Sequence, residues 1–230
     1  MLTKMPFGVL WLLSALIGAL VALAPETAAA QTSDPDHLAL SEKAFAAGDW
    51  TYIAQGTGPT AAIDARRLEV TLPATSSQSS NPSAFSAGAV SRCLVRGDFD
   101  MEVGFRLDQW PARNGVQVLL GDGNLGDVVA RSSEPSFGQE TYLAFFAPVG
   151  ASALTSDLSG KLRLARSGAE VSGFYLTQEG WTRLLTAPTE TSDAYIAVFA
   201  WSDDTRFGHQ EVKATFSQFH LLRGDLVCPD

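Results

Sequence analysis

Asp98, Asp100 and Glu102 occupy alternate positions of the run GDFDMEVGFRL. On an extended strand alternate residues share one face and rise about 3.3 Å each. Three carboxylates in such a row raise one another's proton affinity, which is a way to keep a neutral acid beside an ionised nucleophile. That is the chemistry of glycoside hydrolysis, in which a retaining pair stands about 5–5.5 Å apart. Arg106 falls on the same face further along the run. The plain alternative is a solvated strand face with ordinary charges, with Gly97-Asp98 forming a turn at its entrance.

A second constellation is aromatic. In AYIAVFAW, Tyr195, Phe199 and Trp201 fall on one face and Ile196, Val198 and Ala200 on the other. A strand apolar on both faces is either central and covered or lines a cleft. Flat rings in a groove stack on sugar rings and add contact area. Trp50, Trp110 and Trp181 read as packing residues, and Trp110 precedes Pro111 in a loop.

Other chemistries have thinner support. Asp122, Asn124 and Asp127 in GDGNLGD offer oxygen ligands on a glycine-rich loop, which suits a structural Ca²⁺, although the spacing is no EF-hand. Asp203-Asp204 reads as a turn. His37, His209 and His220 lack zinc-ligand spacing. There is no G-x-S-x-G, no Walker motif and no dinucleotide fingerprint. Arg66-Arg67, Arg92 and Arg96 are a possible grip on acidic sugars, or plain surface charges. No cofactor is expected beyond that Ca²⁺.

The elements that must position these groups are strands. In the run 99–107, Phe99, Met101, Val103, Phe105 and Leu107 alternate with Asp100, Glu102, Gly104 and Arg106, the period of a half-buried strand. Similar short runs fall at 67–72, 87–95, 116–120, 128–131, 141–146, 161–164, 171–176, 181–186, 194–201 and 211–222. Ser167-Gly168 is a hairpin signal between two of them. With about a dozen strands and no crossover helices the sheet must be antiparallel, and two stacked layers bury it best. The fold class is therefore all-β, an antiparallel two-sheet sandwich or jelly roll.

Composition sets the surroundings. The chain has 230 residues, 46% hydrophobic and 18% charged, with a net charge of −9. An acidic chain repels phosphate backbones and anionic lipid, so a nucleic-acid partner is not expected. Lys4, the uncharged run 7–24 and the small residues Ala28 and Ala30 read as a signal peptide over 1–30, cut after Ala30. The alternative is an uncleaved anchor. Either places the remainder outside the cytoplasm, periplasmic or secreted, with no membrane contact after cleavage. Residues 31–47 read as a lead-in or short helix, and 48–230 as the sandwich domain. Two cysteines in an exported chain, Cys93 and Cys228, argue for one disulfide, worth about 5 kcal/mol for a loop that long.

The runs GDFDMEVGFRLDQWPARNGVQVLL and GKLRLARSGAEVSGFYLTQEGWTRL, with the closing run at 211–222, resemble the concanavalin A-like lectin/glucanase superfamily, in particular exported bacterial jelly-roll domains of laminin-G or glucanase type. The resemblance covers about residues 45 to 222. It implies two curved sheets with a concave face on which relatives bind glycans. Retaining glucanases of this superfamily carry Glu-x-Asp-x-Glu on one strand. Here Asp98 stands at the first position, shorter by one methylene, about 1.5 Å of reach. The expectation is an exported, non-catalytic module for a glycan or polysaccharide, bound through Tyr195, Phe199, Trp201, Asp100, Glu102 and Arg106. Loops at 74–83, 132–139 and 148–159 would shape its rim. The alternatives are a glycoside hydrolase or lyase using Asp98, Asp100 and Glu102, and an envelope structural or protein-interaction module.

Overall fold

Alternation of apolar and polar residues recurs along most of the chain, and wherever it does the backbone is extended. The computed structural model describes residues 50–64, 67–78, 84–123, 126–134 and 139–228. These lie within one contact unit, Pro35–Asp230. The expected signal peptide at 1–30 and the lead-in at 31–47 lie outside the described residues, as do His37, Arg66 and Asn124.

In chain order the strands are β1 (Trp50–Gln55), β2 (Thr60–Asp64), β3 (Arg67–Leu72), β4 (Ala84–Gln109), β5 (Gln117–Asp122), β6 (Val128–Glu134) and β7 (Gln139–Phe146). They continue as β8 (Val149–Leu154), β9 (Ser159–Ser167), β10 (Glu170–Thr177), β11 (Gly180–Pro188), β12 (Ala194–Asp203) and β13 (Val212–Val227). All pairing is antiparallel, and no helix occurs among the described residues.

Hydrogen bonds link all thirteen strands, yet they form two layers because β4 belongs to both. Its first half pairs with β1 and β12, and β5, β6, β7 and β8 extend that layer. Its second half pairs with β9 and β13, and β10, β11, β3 and β2 extend the other. The two expected runs at 87–95 and 99–107 are thus one 26-residue strand. Gly97, at φ +65°, sits between its halves. That left-handed backbone suits glycine, which lacks the Cβ that makes it costly elsewhere.

The core fills the space between the layers. Phe99, Met101, Val103, Phe105 and Leu107 all face it, as the alternation requires. They meet Val118, Leu120, Val129, Phe146 and Val198 of the first layer. Tyr142 of β7 stacks on Tyr175 of β10 at 4.3 Å, and Trp50 of β1 meets the edge of Phe219 of β13 at 5.2 Å. Burying each large apolar side chain contributes about 1.5–3 kcal/mol.

Three differences from the sequence reading have simple causes. Residues 148–159 are not a plain loop, because β8 occupies Val149–Leu154. As the last strand of its layer its residues are half or fully exposed, so no strong alternation marks it. β1 and β2 also lie at layer edges, and beyond the buried Trp50 their described side chains are half or fully exposed. The last strand also runs on to Val227, carrying Cys228 to its bond with Cys93. Gly168, at φ +58°, turns the β9–β10 hairpin where Ser167-Gly168 signalled it.

Candidate functional site

The outer face of the first layer can be read row by row from the strand register, since paired residues point to the same side. One row crosses β4, β12, β5, β6 and β7 as Ser86, Trp201, Gln117, Ser132 and Thr141. The next, about 6.6 Å along the strands, is Gly88, Phe199, Leu119, Ala130 and Leu143. A third is Val90, Ala197, Gly121, Val128 and Phe145. Tyr195 stands beyond it on β12.

This face is apolar although it points away from the core. Leu119 is 4% exposed, Ala130 0% and Ala197 3%, yet none belongs to the interlayer core. They form an apolar floor in the same rows as the half-buried Phe199, Trp201 and Phe145. Gly88 stands opposite Phe199, and the approach leaves no room for a side chain: a Cβ on Gly88 would fall 2.3 Å from Phe199 Cβ. At one rim Arg206 lies over the Trp201 ring at 5.8 Å, 3.1 Å from Asp203 and 3.9 Å from Glu134.

The acidic row lies on the outer face of the other layer. Each carboxylate there has a cation. Arg163 forks onto Asp100 through Nε (2.7 Å) and Nη2 (2.5 Å), while the faces of Phe174 and Trp181 flank its guanidinium at 5.5 Å. Lys161 Nζ donates to Glu102 at 2.9 Å, and His220 Nδ1 lies 3.2 Å from the same oxygen. Asp98 accepts from the Gly168 backbone N–H at 2.7 Å and meets Arg223 at 3.4 Å. Hydrogen bonding to Asp100 holds the Arg163 pKa above its ordinary value, against burial. Arg106 pairs with Asp108 at 2.5 Å.

Two expectations change here. The even-numbered side of 99–107 is not uniformly wetted: Glu102 is only 8% exposed, because Lys161 and His220 close over it. The six residues expected to share one site divide into two sets of three on opposite outer faces of the sandwich. Tyr195, Phe199 and Trp201 lie on one, Asp100, Glu102 and Arg106 on the other.

The proposed oxygen-ligand loop also has a definite setting. Asp122 and Asp127 are both buried beside the end of the core. Arg166, 1% exposed, stacks on Phe99 at 4.7 Å, donates to the Gly97 and Ser192 carbonyls, and lies 3.9 Å from Asp122. Asp127 accepts from the Thr189 hydroxyl at 2.6 Å. Burial pushes its pKa up; Thr189 opposes the rise, Asp122 adds to it and Arg166 opposes it. Among the described residues no group of three His, Cys, Asp or Glu side chains is placed to hold a metal ion.

At another place Arg131 pairs with Glu140 at 2.6 Å, and Glu140 also accepts from the Trp110 indole at 2.7 Å. Tyr142 donates to Asp157 at 2.8 Å, and burial holds its phenol well above the ordinary range. Trp110 is thus a packing residue with a bonded N–H.

Sequence reading missed the cations of the ladder and the hydroxyl and amide row around Trp201. Lys161 and Arg163 alternate in GKLRLAR, a visible signal, but their partners depend on cross-strand register. Ser86, Gln117, Ser132 and Thr141 lie on four strands far apart in the chain, and no local pattern joins them.

Several solved structures share this architecture at low identity. An alginate lyase of polysaccharide lyase family 7 superimposes with a TM-score of 0.57 at 10% identity, over 77% of this chain and 94% of its own. A β-1,3-1,4-glucanase (lichenase) from a mouse hindgut metagenome gives 0.54 at 11%, over 75% and 92%. The β-glucanase of Bacillus licheniformis gives 0.51 at 10%, over 80% and 96%. The likeness is one of fold, and the fold is the concanavalin A-like jelly roll. No protein-family model and no curated protein matches the chain.

Proposed function

We propose that this protein is an exported, non-catalytic glycan-binding module whose site is the outer face of the first layer. The observation that carries the reading is the partly exposed aromatic set Tyr195, Phe199 and Trp201 standing around a buried apolar floor. Such a surface offers stacking area to the C–H faces of sugar rings, and it is preformed, so little ordering entropy opposes binding. The disulfide supports an extracytoplasmic location, where such bonds persist. The pairing of every carboxylate in the acidic row supports a role in stability rather than turnover, since a general acid must be free to give up its proton.

Titration calorimetry against a glycan panel tests the proposal. The expected result is a saturable heat with at least one glycan, weakened about tenfold or more by Trp201→Ala with the melting temperature preserved. Binding untouched by Trp201→Ala and Phe199→Ala would place the site elsewhere.

A further inference from the structure

The fold separates the arginines that the sequence offered as a grip on acidic sugars. Arg67 belongs to β3, where Leu68 and Val70 face the core, so it lies on the outer face of the second layer. Arg96 is taken by Asp193 at 3.4 Å. Arg92 is exposed on the outer face of the first layer, the face of Tyr195, Phe199 and Trp201. Among the described residues no ion pair takes it up.

The backbone beneath Arg92 is specially built. The pairs Val90–Ala197 and Leu94–Tyr195 bracket an irregularity in which Ser91, Arg92 and Cys93 of β4 stand against the single residue Ile196 of β12. Both neighbours of Arg92 are buried and held. Ser91 Oγ accepts from the Ile196 N–H at 2.9 Å and donates to the Cys93 carbonyl at 2.7 Å, and Cys93 is bonded to Cys228. Extra residues in a ladder bend the strand and re-aim a side chain. The side chain carried outward here is Arg92, between the Ala197 and Tyr195 positions of the aromatic face.

Local charge favours an anion at this place although the chain as a whole carries −9. The carboxylates beside β12 and at the end of β6, Asp193, Asp203 and Glu134, are each met by an arginine. Asp100 and Glu102 lie across the sandwich with their own cations. The overall field fades beyond about 8 Å in physiological salt, whereas a guanidinium in contact with an oxyanion acts at hydrogen-bond range.

Resting on the glycan-binding reading, we infer that the ligand is an acidic glycan, with a carboxylate or sulfate held by Arg92. The chain runs along β12. Its rings stack on Trp201, on Phe199 about 6.6 Å further on, and on Tyr195 about 13 Å beyond that. Tyr195 is 37% exposed and so offers stacking area at the end where Arg92 stands. The planar guanidinium presents paired N–H donors to two oxygens of one acidic group, a geometry that sugar hydroxyls do not match.

The test is calorimetry on the intact protein with hexasaccharides in charged and uncharged pairs. Mannuronan, guluronan and polygalacturonate are each matched by the methyl ester, and a sulfated galactan by plain galactan; β-glucan, β-mannan and xylan complete the uncharged set. The expected result is binding to an acidic member at least tenfold tighter than to its uncharged counterpart. The uronans and the sulfated galactan distinguish carboxylate from sulfate. That binding should weaken between 20 mM and 500 mM salt, values chosen so that the screening length falls from roughly 20 to 4 Å. Arg92→Gln should weaken it about tenfold with the melting temperature preserved, while Arg96→Gln changes it less than twofold. Uncharged chains bound as tightly as acidic ones would overturn the inference and leave the glycan-binding reading standing. So would acidic binding indifferent to Arg92→Gln, or reduced equally by Arg96→Gln. Absence of binding to every member would overturn the reading itself.

Discussion

Arg163 stands directly opposite Glu102 on the adjacent strand, two residues from the position facing Asp100, and its guanidinium spans that diagonal to hold both Asp100 carboxylate oxygens. Both side chains are about four-fifths withdrawn from solvent. A forked, largely buried pair is stronger than a surface ion pair. A double-mutant cycle with Asp100→Ala and Arg163→Ala should give a coupling of about 1–2 kcal/mol in urea unfolding. A coupling near zero would mean that the two do not pair in solution.

Glu102→Gln separates the two faces functionally. Its loss of charge leaves Lys161 without its carboxylate, so stability should fall by about 1 kcal/mol. Glycan affinity should stay within twofold, because the aromatic rows lie on the opposite face. Paired melting and calorimetry measurements check both halves. A large loss of affinity with unchanged stability would instead tie the acidic row to the ligand.

Gly88→Ala tests the close approach beneath Phe199. The added methyl would meet the Val198 carbonyl oxygen at 2.2 Å and Phe199 Cα at 2.5 Å, both backbone atoms or bound tightly to them. The β4–β12 pairing must therefore open locally, at about 2 kcal/mol or more. Chemical denaturation should show the loss, together with weakened glycan binding. An unaltered midpoint would show that Phe199 has room to retreat.

The disulfide joins Cys93 near the middle of β4 to Cys228, across a separation of 135 residues. Replacing both by serine should lower unfolding free energy by about 2–5 kcal/mol. Guanidinium titration of the double variant against the parent measures it, and a change under about 0.5 kcal/mol would be too small for a structural staple.

Asp127 gives the pH dependence a sign. Burial raises its native pKa above the ordinary 3.8. The native state then holds the proton more tightly than the unfolded state. The stability this contributes is whole below the ordinary value and is lost as pH rises through the native pKa. Asp127→Asn keeps an acceptor for the Thr189 hydroxyl and removes the buried charge, so its melting temperature should gain on the parent as pH climbs through that window. Parallel melting curves from pH 3 upward, a range set by the carboxylate's ordinary value of about 4, would contradict the assignment.

Much of the layer structure was legible because burial on one side imposes a period of two, seen most clearly from Phe99 to Leu107. The Ser167-Gly168 turn was legible because a left-handed glycine has few other uses there. Strand β8 was not, since an edge strand buries little and has no strong period. The aromatic set of the site could be read from one strand, because Tyr195, Phe199 and Trp201 share its parity. The polar side chains in the row of Trp201 could not: Ser86 and Thr141 are aligned across the sheet only through the register of three intervening strands. Asp100, Glu102 and Arg106 were grouped with the aromatics because sequence parity fixes a side within one layer and is silent on which layer lies behind it.

The long strand β4 also governs where the chain tolerates a break. A cut near Gly97 would sever the one strand that hydrogen-bonds at the heart of both layers, so neither fragment could close a sandwich alone. The exposed turn at Gln178 and Glu179 serves only the β10–β11 hairpin, which makes it the natural place for new termini, an inserted tag or a split reporter.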